Sequence, residues 1–275
     1  MSLGYNDRLK KGIWKGLCGD AELTETSRSL ERKISQLHEL VMESDYTVAF
    51  TGAGISTAAG IPDFRGPTGV WTAEQKRAKP PTVGVDFDRA VPSLTHMALK
   101  SLLDSGHLRH IVSQNVDGLH LRSGVPREHL SELHGNIFAE VCDRCGKEYV
   151  RDFDLKGMGL KLTGRFCEID TCKGPLRDKT VDWDTPLPEA EMETADAHLK
   201  KAKLCLCLGT SLRIRPAGNM PMKTVRMNGK KGKLVIVNLQ ETHLDKKATV
   251  CIHAKVDEVM RRLAEKLKLD IPRSE

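Results

Sequence analysis

Four cysteines have the spacing of a metal site. Cys142 and Cys145 form a Cys-x-x-Cys pair, and Cys167 and Cys172 follow after a gap of twenty-one residues. Four thiolates suit a tetrahedral zinc ion, and because they fill every coordination position the metal would be structural and not catalytic. A redox dithiol would need no second pair at this distance, so the spacing favours structural Zn2+ over redox chemistry.

A second candidate for chemistry is His134, which lies in the segment Leu133-His134-Gly135-Asn136. Imidazole near its ordinary pKa can accept a proton from a substrate hydroxyl, which is the work of a general base. A lone histidine is more often a packed or exposed residue than a catalyst. The assignment therefore depends on which other polar groups the fold brings beside it.

Small and polar residues follow four hydrophobic, strand-like runs. The segments that follow them are 51–66, 113–118, 209–211 and 238–240. In an open parallel sheet, ligands bind in the crevice outside the carboxyl ends of the strands, so these four segments should converge on one site. Short runs rich in Val and Leu, separated by helical stretches, predict an α/β fold with a parallel sheet covered on both faces.

The first of these segments has the composition of a nucleotide-binding turn. Gly52 and Gly54 allow the backbone to approach a ligand closely, and the residues from Ser56 to Ala59 are expected to start a helix whose free N–H groups face a phosphate. A glycine-rich turn that binds nothing is the alternative. Because Gly60 lies six residues after Gly54, the spacing departs from G-x-G-x-x-G and disfavours an ordinary hydride-transfer dehydrogenase.

The spacing of apolar residues predicts helices that would pack beside these strands. Apolar residues recur at helical spacing from Leu30 to Val41 and from Val256 to Leu267, so each segment should pack one face against the core. The residues Trp71 to Lys79 are also predicted to be helical, up to the break at Pro80.

Length and composition predict a large domain with a small module. The chain has 275 residues and a formal net charge of +6. We expect a discontinuous nucleotide-binding domain at 27–140 and 182–272, a zinc-binding module at 141–181 and an N-terminal extension at 1–26. The N-terminus has no signal-peptide-like apolar core and no run is long enough to span a membrane, so we expect a soluble protein that is not secreted.

Several motifs in one order resemble the signature set of the sirtuins, which are NAD-dependent protein deacylases. The motifs are Gly52-Ala53-Gly54-Ile55-Ser56, Gly60 to Gly66, Gln114 to His120, Leu133 to Asn136 and Gly209-Thr210-Ser211. The resemblance extends from about Gly16 to Pro272. Trp71, the segment Val181 to Asp184 and the segment Val256 to Met260 are most similar to the nuclear, chromatin-associated branch typified by sirtuin six.

The resemblance implies a Rossmann-like, doubly wound parallel sheet with an inserted zinc module, and it implies roles for individual residues. Catalysis is implied for His134 as general base, for Asn115, which with Gln114 would hold the ribose, and for Asp117, which would help organise the nicotinamide pocket. Acyl-peptide binding is implied for Trp183 and Asp184. Contacts with NAD are implied for Gly52, Ala53, Ser56, Thr57, Gly60, Asp63, Phe64, Arg65, Trp71, Gln114, His134, Gly209, Thr210, Ser211, Asn238, Gln240 and Val256.

The implied reaction removes an acyl group from a protein lysine and releases nicotinamide and O-acyl-ADP-ribose. NAD would supply the electrophile, because nicotinamide is a good leaving group, and the protein would position reactants and move protons. The segment Val181 to Asp184 puts efficient removal of short acetyl groups in doubt and favours longer acyl chains. Protein mono-ADP-ribosyl transfer and an NAD-sensing chromatin module without turnover are the two alternatives.

The resemblance also implies partners and a location. It implies acyl-lysine protein substrates such as histone tails, docking to chromatin or nucleosomes, and nuclear residence. Basic clusters at 230–233, 246–247 and 261–262 could contact phosphates, although solvated surface is their ordinary role. The sequence does not indicate an oligomeric state.

Overall fold

A parallel sheet forms the centre of the larger part of the molecule. The computed structural model describes residues 2–13, 15–79, 81, 85–226 and 232–274. The strands within these residues are β1 Thr47–Thr51, β2 His110–Ser113, β3 Leu130–Glu132, β4 Ala139–Cys142, β5 Glu148–Val150, β6 Leu162–Phe166, β7 Pro175–Asp178, β8 Leu204–Leu208, β9 Lys233–Val237 and β10 Val250–Ile252. Six of them form one all-parallel sheet in the order β10-β9-β8-β1-β2-β3.

Helices cover both faces of this sheet. In chain order the helices of the described residues are α1 Ser2–Arg8, α2 Ser27–Glu43, α3 Val70–Gln75, α4 Leu94–Asp104, α5 Leu119–Arg122, α6 Glu189–Lys201, α7 Met222–Arg226 and α8 Val256–Leu267. Alternate residues of β8 face opposite cores: Leu206 packs with α2, α4 and α8, whereas Cys207 packs with α6. Burial on both faces explains why the central strands are continuously apolar.

The two long helices predicted from periodicity are confirmed. Helix α2 buries one apolar stripe, Leu30, Ile34, Leu37 and Val41, and the Thr26 hydroxyl caps its first turn by accepting from the amide of Ser29. Helix α8 buries the stripe that begins at Val256.

The helix predicted from Ser56 to Ala59 is wrong. The chain instead forms two 3₁₀ turns, Ala53–Ile55 and Thr57–Ala59. Gly60, at φ +82°, ends the second turn in the left-handed region, and Pro62 cannot donate the amide that a continuing helix would need.

The helix predicted from Trp71 to Lys79 is shorter than expected. Helix α3 ends at Gln75, because Arg77 takes a left-handed conformation with φ +51°. Pro80, the predicted breaker, lies outside the described residues, as do Lys230 and Lys231 of the first basic cluster.

The second sheet is antiparallel and small. Its strand order is β5-β4-β7-β6. The four cysteines lie near the ends of its strands: Cys142 is the last residue of β4, Cys167 follows β6, and Cys145 and Cys172 lie in turns. The strands of the larger sheet occupy residues 47–132 and 204–252, on both sides of this segment. On this basis we keep the division into 27–140 with 182–272, 141–181 and 1–26 as a proposal, with β4 beginning two residues before the module boundary.

The N-terminal segment packs onto the larger domain. Tyr5 and Leu9 are buried in an apolar cluster with Trp71, Phe87 and Val116. The Arg8 guanidinium pairs with the carboxylate of Asp154 near the small sheet. Among the described residues, no helix has the length and apolar character that crossing a membrane requires.

Candidate active site

One cavity lies at the carboxyl ends of the parallel strands. Its volume is about 560 Å³, and residues that follow β1, β2, β8 and β9 all line it. The sequence predicted this convergence from the four polar segments. It follows from the parallel sheet, since the carboxyl ends of its strands meet at one edge.

Glycines bring the β1 and β8 segments into direct contact. A Cβ atom added to Gly52 would lie 2.7 Å from the Cβ of Thr210, and one added to Gly54 would lie 2.8 Å from the Cα of Gly209. The Gly54 amide donates to the Gly209 carbonyl at 2.8 Å. Side chains at these positions would separate the two segments, so the cavity floor requires glycine here.

His134 lines the cavity with one ring nitrogen free. Its Nδ1 lies 2.8 Å from the carbonyl oxygen of Gln114, and because a carbonyl can only accept, Nδ1 carries the proton. Its Nε2 is buried and has no hydrogen-bond partner in the described part of the chain. Burial lowers the pKa of His134 and outweighs the hydrogen bond to Gln114, which raises it, while the nearby Arg65 guanidinium lowers it further. At neutral pH the ring is therefore uncharged and presents a basic nitrogen, as a general base must.

Ser56 connects the two candidate residues that follow β2. Its hydroxyl donates to Asp117 Oδ2 at 2.7 Å and lies 3.3 Å from Asn115 Nδ2, which also donates to the Gly52 carbonyl at 3.1 Å. The other Asp117 oxygen accepts from the Leu119 amide at 3.0 Å. Asp117 thus fixes the shape of the wall with both carboxylate oxygens engaged in the protein.

The Asp63-Phe64-Arg65 loop also lines the cavity. Asp63 accepts from the Gly66 amide at 3.0 Å, and burial raises the pKa of its carboxyl group.

The Arg65 guanidinium lies 4.4 Å from the centroid of the Trp71 ring and donates to the Lys15 carbonyl at 2.9 Å. No ion pair among the described residues uses Arg65, and its Nε is buried without a partner. Burial lowers the pKa of Arg65 to about 10, so it remains a cation available to an anionic ligand.

Aromatic rings line one end of the cavity. The Trp71 ring lies 4.5 Å from Phe64 and 5.5 Å from Trp183, measured between centroids. Tyr5 lies 6.1 Å from Phe64, and Asn6 Oδ1 accepts from Trp71 Nε1 at 2.8 Å. Tyr5 and Leu9 line the cavity but were not predicted as site residues, since nothing in the sequence shows that the N-terminal segment folds back to this point.

Most of the predicted site residues line this one cavity, including Gln114, whose Nε2 donates to Thr210 Oγ1 at 2.7 Å. Four do not. Thr57 is exposed, Gly60 packs beside Val85, and Val256 is buried in the core under α8. Asp184 is exposed and pairs with Lys10 outside the cavity. Roles for these four in binding stay predictions.

The four cysteines come together as one metal-binding set. Their sulfurs all lie within 4.8 Å of one another, with 3.6 Å between Cys142 and Cys172 and 3.7 Å between Cys145 and Cys167. A tetrahedral zinc ion with Zn–S bonds of about 2.3 Å requires sulfurs about 3.8 Å apart. The donor set and its dimensions therefore fit structural zinc with no open position.

Comparison with known proteins supplies the family. A protein-family model described as Sir2 family matches residues 83–216. An Arabidopsis thaliana protein named NAD-dependent protein deacetylase SRT1 is 51% identical over 272 residues, covering 99% of this chain and 57% of that protein. A Drosophila melanogaster protein named NAD-dependent protein deacetylase Sirt6 is 43% identical over 279 residues, covering 99% of this chain and 87% of that protein. This chain belongs to the Sir2 family.

Solved Sir2 structures share the fold. One described as "Sir2-p53 peptide-NAD+" has a TM-score of 0.64 and 33% sequence identity, and the match covers 86% of this chain and 98% of the other. The resemblance to the sirtuins and the Rossmann-like fold with its zinc module are thereby confirmed. The chain spans a little over half the length of the plant relative, at 57%.

Proposed function

We propose that this protein is an NAD-dependent protein-lysine deacylase that releases nicotinamide and O-acyl-ADP-ribose. The observation that carries the proposal is His134, a neutral imidazole that lines the cavity and whose unprotonated Nε2 has no hydrogen-bond partner among the described residues. The relatives named as NAD-dependent deacetylases support it.

The residues present fit an NAD molecule. The glycines of the β1 and β8 segments admit a dinucleotide backbone, and the Arg65 guanidinium, which has no ion pair among the described residues, suits its diphosphate. NAD would supply the electrophilic ribose carbon and the nicotinamide leaving group. Here His134 Nε2 would take a proton from a ribose hydroxyl, Asn115 would hold the ribose, Asp117 would shape the nicotinamide end, and Phe64 would shield the site from water.

The proposal is tested with purified protein, NAD and an acyl-lysine histone peptide. Nicotinamide and deacylated peptide are expected to appear together in equal amounts, measured by chromatography with mass detection. Label from NAD that becomes covalently attached to protein, without deacylated lysine, would instead support mono-ADP-ribosyl transfer. Saturable NAD binding with no nicotinamide release from any acyl peptide would support an NAD-sensing module without turnover.

We further propose that the aromatic end of the cavity binds long acyl chains. The Trp183 ring lies 5.5 Å from that of Trp71, and Tyr5 and Leu9 complete an apolar surface that an acetyl group would leave unfilled. Burial of each additional CH₂ contributes about 0.8 kcal/mol, so a chain of a dozen carbons gains far more here than acetyl does.

Replacing Trp183 with alanine is expected to lower kcat/KM for a myristoyl-lysine peptide by at least about tenfold, because roughly 1.5–3 kcal/mol of apolar contact is lost. Turnover of the acetyl peptide should change much less. Phe153→Ala serves as the control, because Phe153 is 44% exposed and lies outside this cavity. Equal losses on both peptides would remove the assignment of this surface to the acyl chain.

We propose histone tails as substrates and the nucleus as the location, on the resemblance to the chromatin-associated branch. Docking to chromatin would use exposed basic residues. Lys246 and Lys247 are exposed and have no ion pair among the described residues, whereas Arg261 and Arg262 pair with Glu258 on their own helix. We therefore assign the phosphate contact to Lys246 and Lys247.

A further inference from the structure

A tight turn presents His134 to the cavity. The Glu132 carbonyl accepts from the Gly135 amide at 3.0 Å, and the His134 carbonyl accepts from the Val181 amide at 3.2 Å. Gly135 has φ +80°, and a Cβ atom added there would lie 1.6 Å from the carbonyl oxygen of Lys179. The turn is therefore pressed directly against the segment that follows β7, and its shape decides where the imidazole lies.

The Glu132 side chain closes this turn. Its Oε1 accepts from Asn136 Nδ2 at 2.8 Å, and Asn136 Oδ1 accepts from the Phe138 amide at 2.9 Å. Glu132 is 2% exposed, and its Oε2 is buried with no hydrogen-bond partner in the described part of the chain. Ionising a buried carboxyl group with one unpartnered oxygen costs free energy, because water no longer solvates the charge.

Four charged side chains from other parts of the chain act on this carboxyl group. Arg127, just before β3, pairs with Glu148 of β5 at 3.0 Å and also with Glu191 of α6. Lys179, which follows β7, pairs with Glu148 at 2.5 Å and lies 3.4 Å from Glu191. Glu191 Oε2 also accepts from the Glu132 amide at 3.1 Å. Two cations and two carboxylates already balance one another, so an ionised Glu132 would be the unmatched third acid.

We propose that Glu132 is a positioning residue for His134: its buried carboxyl group, which accepts from Asn136, holds the turn from residue 132 to 136 in place. An ionised Glu132 would still accept from Asn136, but its second oxygen would be a buried, unmatched charge near Glu191, so the turn would open to bring that charge into water. The inference rests on the proposed function, because it assigns a role relative to the proposed general base.

The pKa of Glu132 agrees with its burial among these charged groups. Burial raises the pKa of Glu132 to about 8, with Arg127 and Lys179 opposing the rise and Glu148 and Glu191 adding to it. For Glu148 burial also acts upward, but Lys179 and Arg127 outweigh it and the pKa of Glu148 lies below its usual value. Glu132 is thus neutral at pH 7 beside charged neighbours, and it ionises near pH 8.

The sign of the stability effect follows. The folded protein holds the Glu132 proton at pH values where the unfolded chain has lost it. Between the unfolded pKa near 4.5 and the folded pKa of about 8, wild-type stability therefore falls as pH rises. Glu132→Gln cannot ionise and can still accept from Asn136, so it should escape that loss.

The test compares the wild type with Glu132→Gln, Glu132→Ala and Glu140→Gln. In the wild type, kcat should fall as pH rises through about 8, which gives the pH profile an alkaline limb. Glu132→Gln should lack this alkaline limb while matching wild type at pH 7. Glu132→Ala removes the hydrogen bond to Asn136 and should lower kcat at every pH by about tenfold, with little change in KM for NAD, as expected when a reacting group is misplaced. Glu140, a buried glutamate paired with Arg151 and Arg165, is the matched control, and Glu140→Gln should keep the limb.

Two measurements need no turnover. The melting temperature of Glu132→Gln minus that of wild type should increase between pH 5 and about pH 8, where the folded group titrates. The imidazole signals of His134 in NMR spectra should shift over the alkaline range in wild type and stay constant in Glu132→Gln.

The outcomes separate this inference from the function itself. An inactive wild type would remove the proposed function, and the NMR and melting curves would still decide the role of Glu132. An alkaline limb that persists in Glu132→Gln, a flat melting-temperature difference, or His134 signals that move equally in both proteins would each overturn the positioning role.

Discussion

Replacing His134 with asparagine is expected to lower kcat/KM for nicotinamide release by about a thousandfold, a loss within the range that general bases contribute. The asparagine amide can still donate to the Gln114 carbonyl, which now lies 2.8 Å from Nδ1. The turn would therefore keep its shape while losing the basic nitrogen. Steady-state release of nicotinamide from NAD and an acyl peptide measures the effect, and calorimetry should show NAD binding close to that of wild type.

A matched histidine controls for this substitution. His38 is partly exposed on α2 and lies outside the cavity, so His38→Asn should leave the rate unchanged. A His134→Asn protein that kept more than about a tenth of the wild-type rate would contradict the general-base assignment, since such a base supplies at least about a hundredfold.

Removing the metal is expected to unfold the cysteine-bearing module. Structural zinc contributes on the order of 10 kcal/mol in small zinc peptides, and the small sheet has a core of four buried residues, three of them cysteines. Cys142→Ser should lower the melting temperature by at least about 10 °C, because each 1 kcal/mol shifts a domain of this size by roughly 2–4 °C. Metal analysis should show one zinc per wild-type chain and less in the variant.

Activity should be lost with the metal although zinc takes no part in the chemistry. The segment after β7 supports the His134 turn through the Val181 amide and the Lys179 carbonyl, so an unfolded module would release the proposed base. Cys251→Ser is the control, because Cys251 is partly buried on β10, away from the metal set. Zinc-free protein that kept its melting temperature and its turnover would show that the module folds without metal.

The amino-acid sequence determined the sheet, its long helices and the metal set. Strand-length apolar runs and helical periodicity are local signals, and four thiols at this spacing have few uses other than zinc. The convergence of the four polar segments followed from topology alone, because parallel strands place their carboxyl ends at one edge. These features could be predicted without knowing any distance.

Two helix predictions made from local sequence patterns differ from the structure. The segment after Gly52 has a helix-like composition, yet it forms 3₁₀ turns because Gly54 lies against Gly209 and the chain reverses at Gly60. Helix α3 ends at Gln75, earlier than predicted, because Arg77 takes a left-handed conformation. Propensity is a weak prior when a remote segment fixes the path of the chain.

What only the tertiary structure decided is the state of each titratable group and the closure of the cavity. His134 acquires its tautomer from a carbonyl twenty residues away, Glu132 is neutral because the fold buries it among charges that already match, and Tyr5 reaches the aromatic end from the N-terminal segment. Protonation and burial depend on partners brought together from distant parts of the chain, and the order of residues along the chain does not specify those distances.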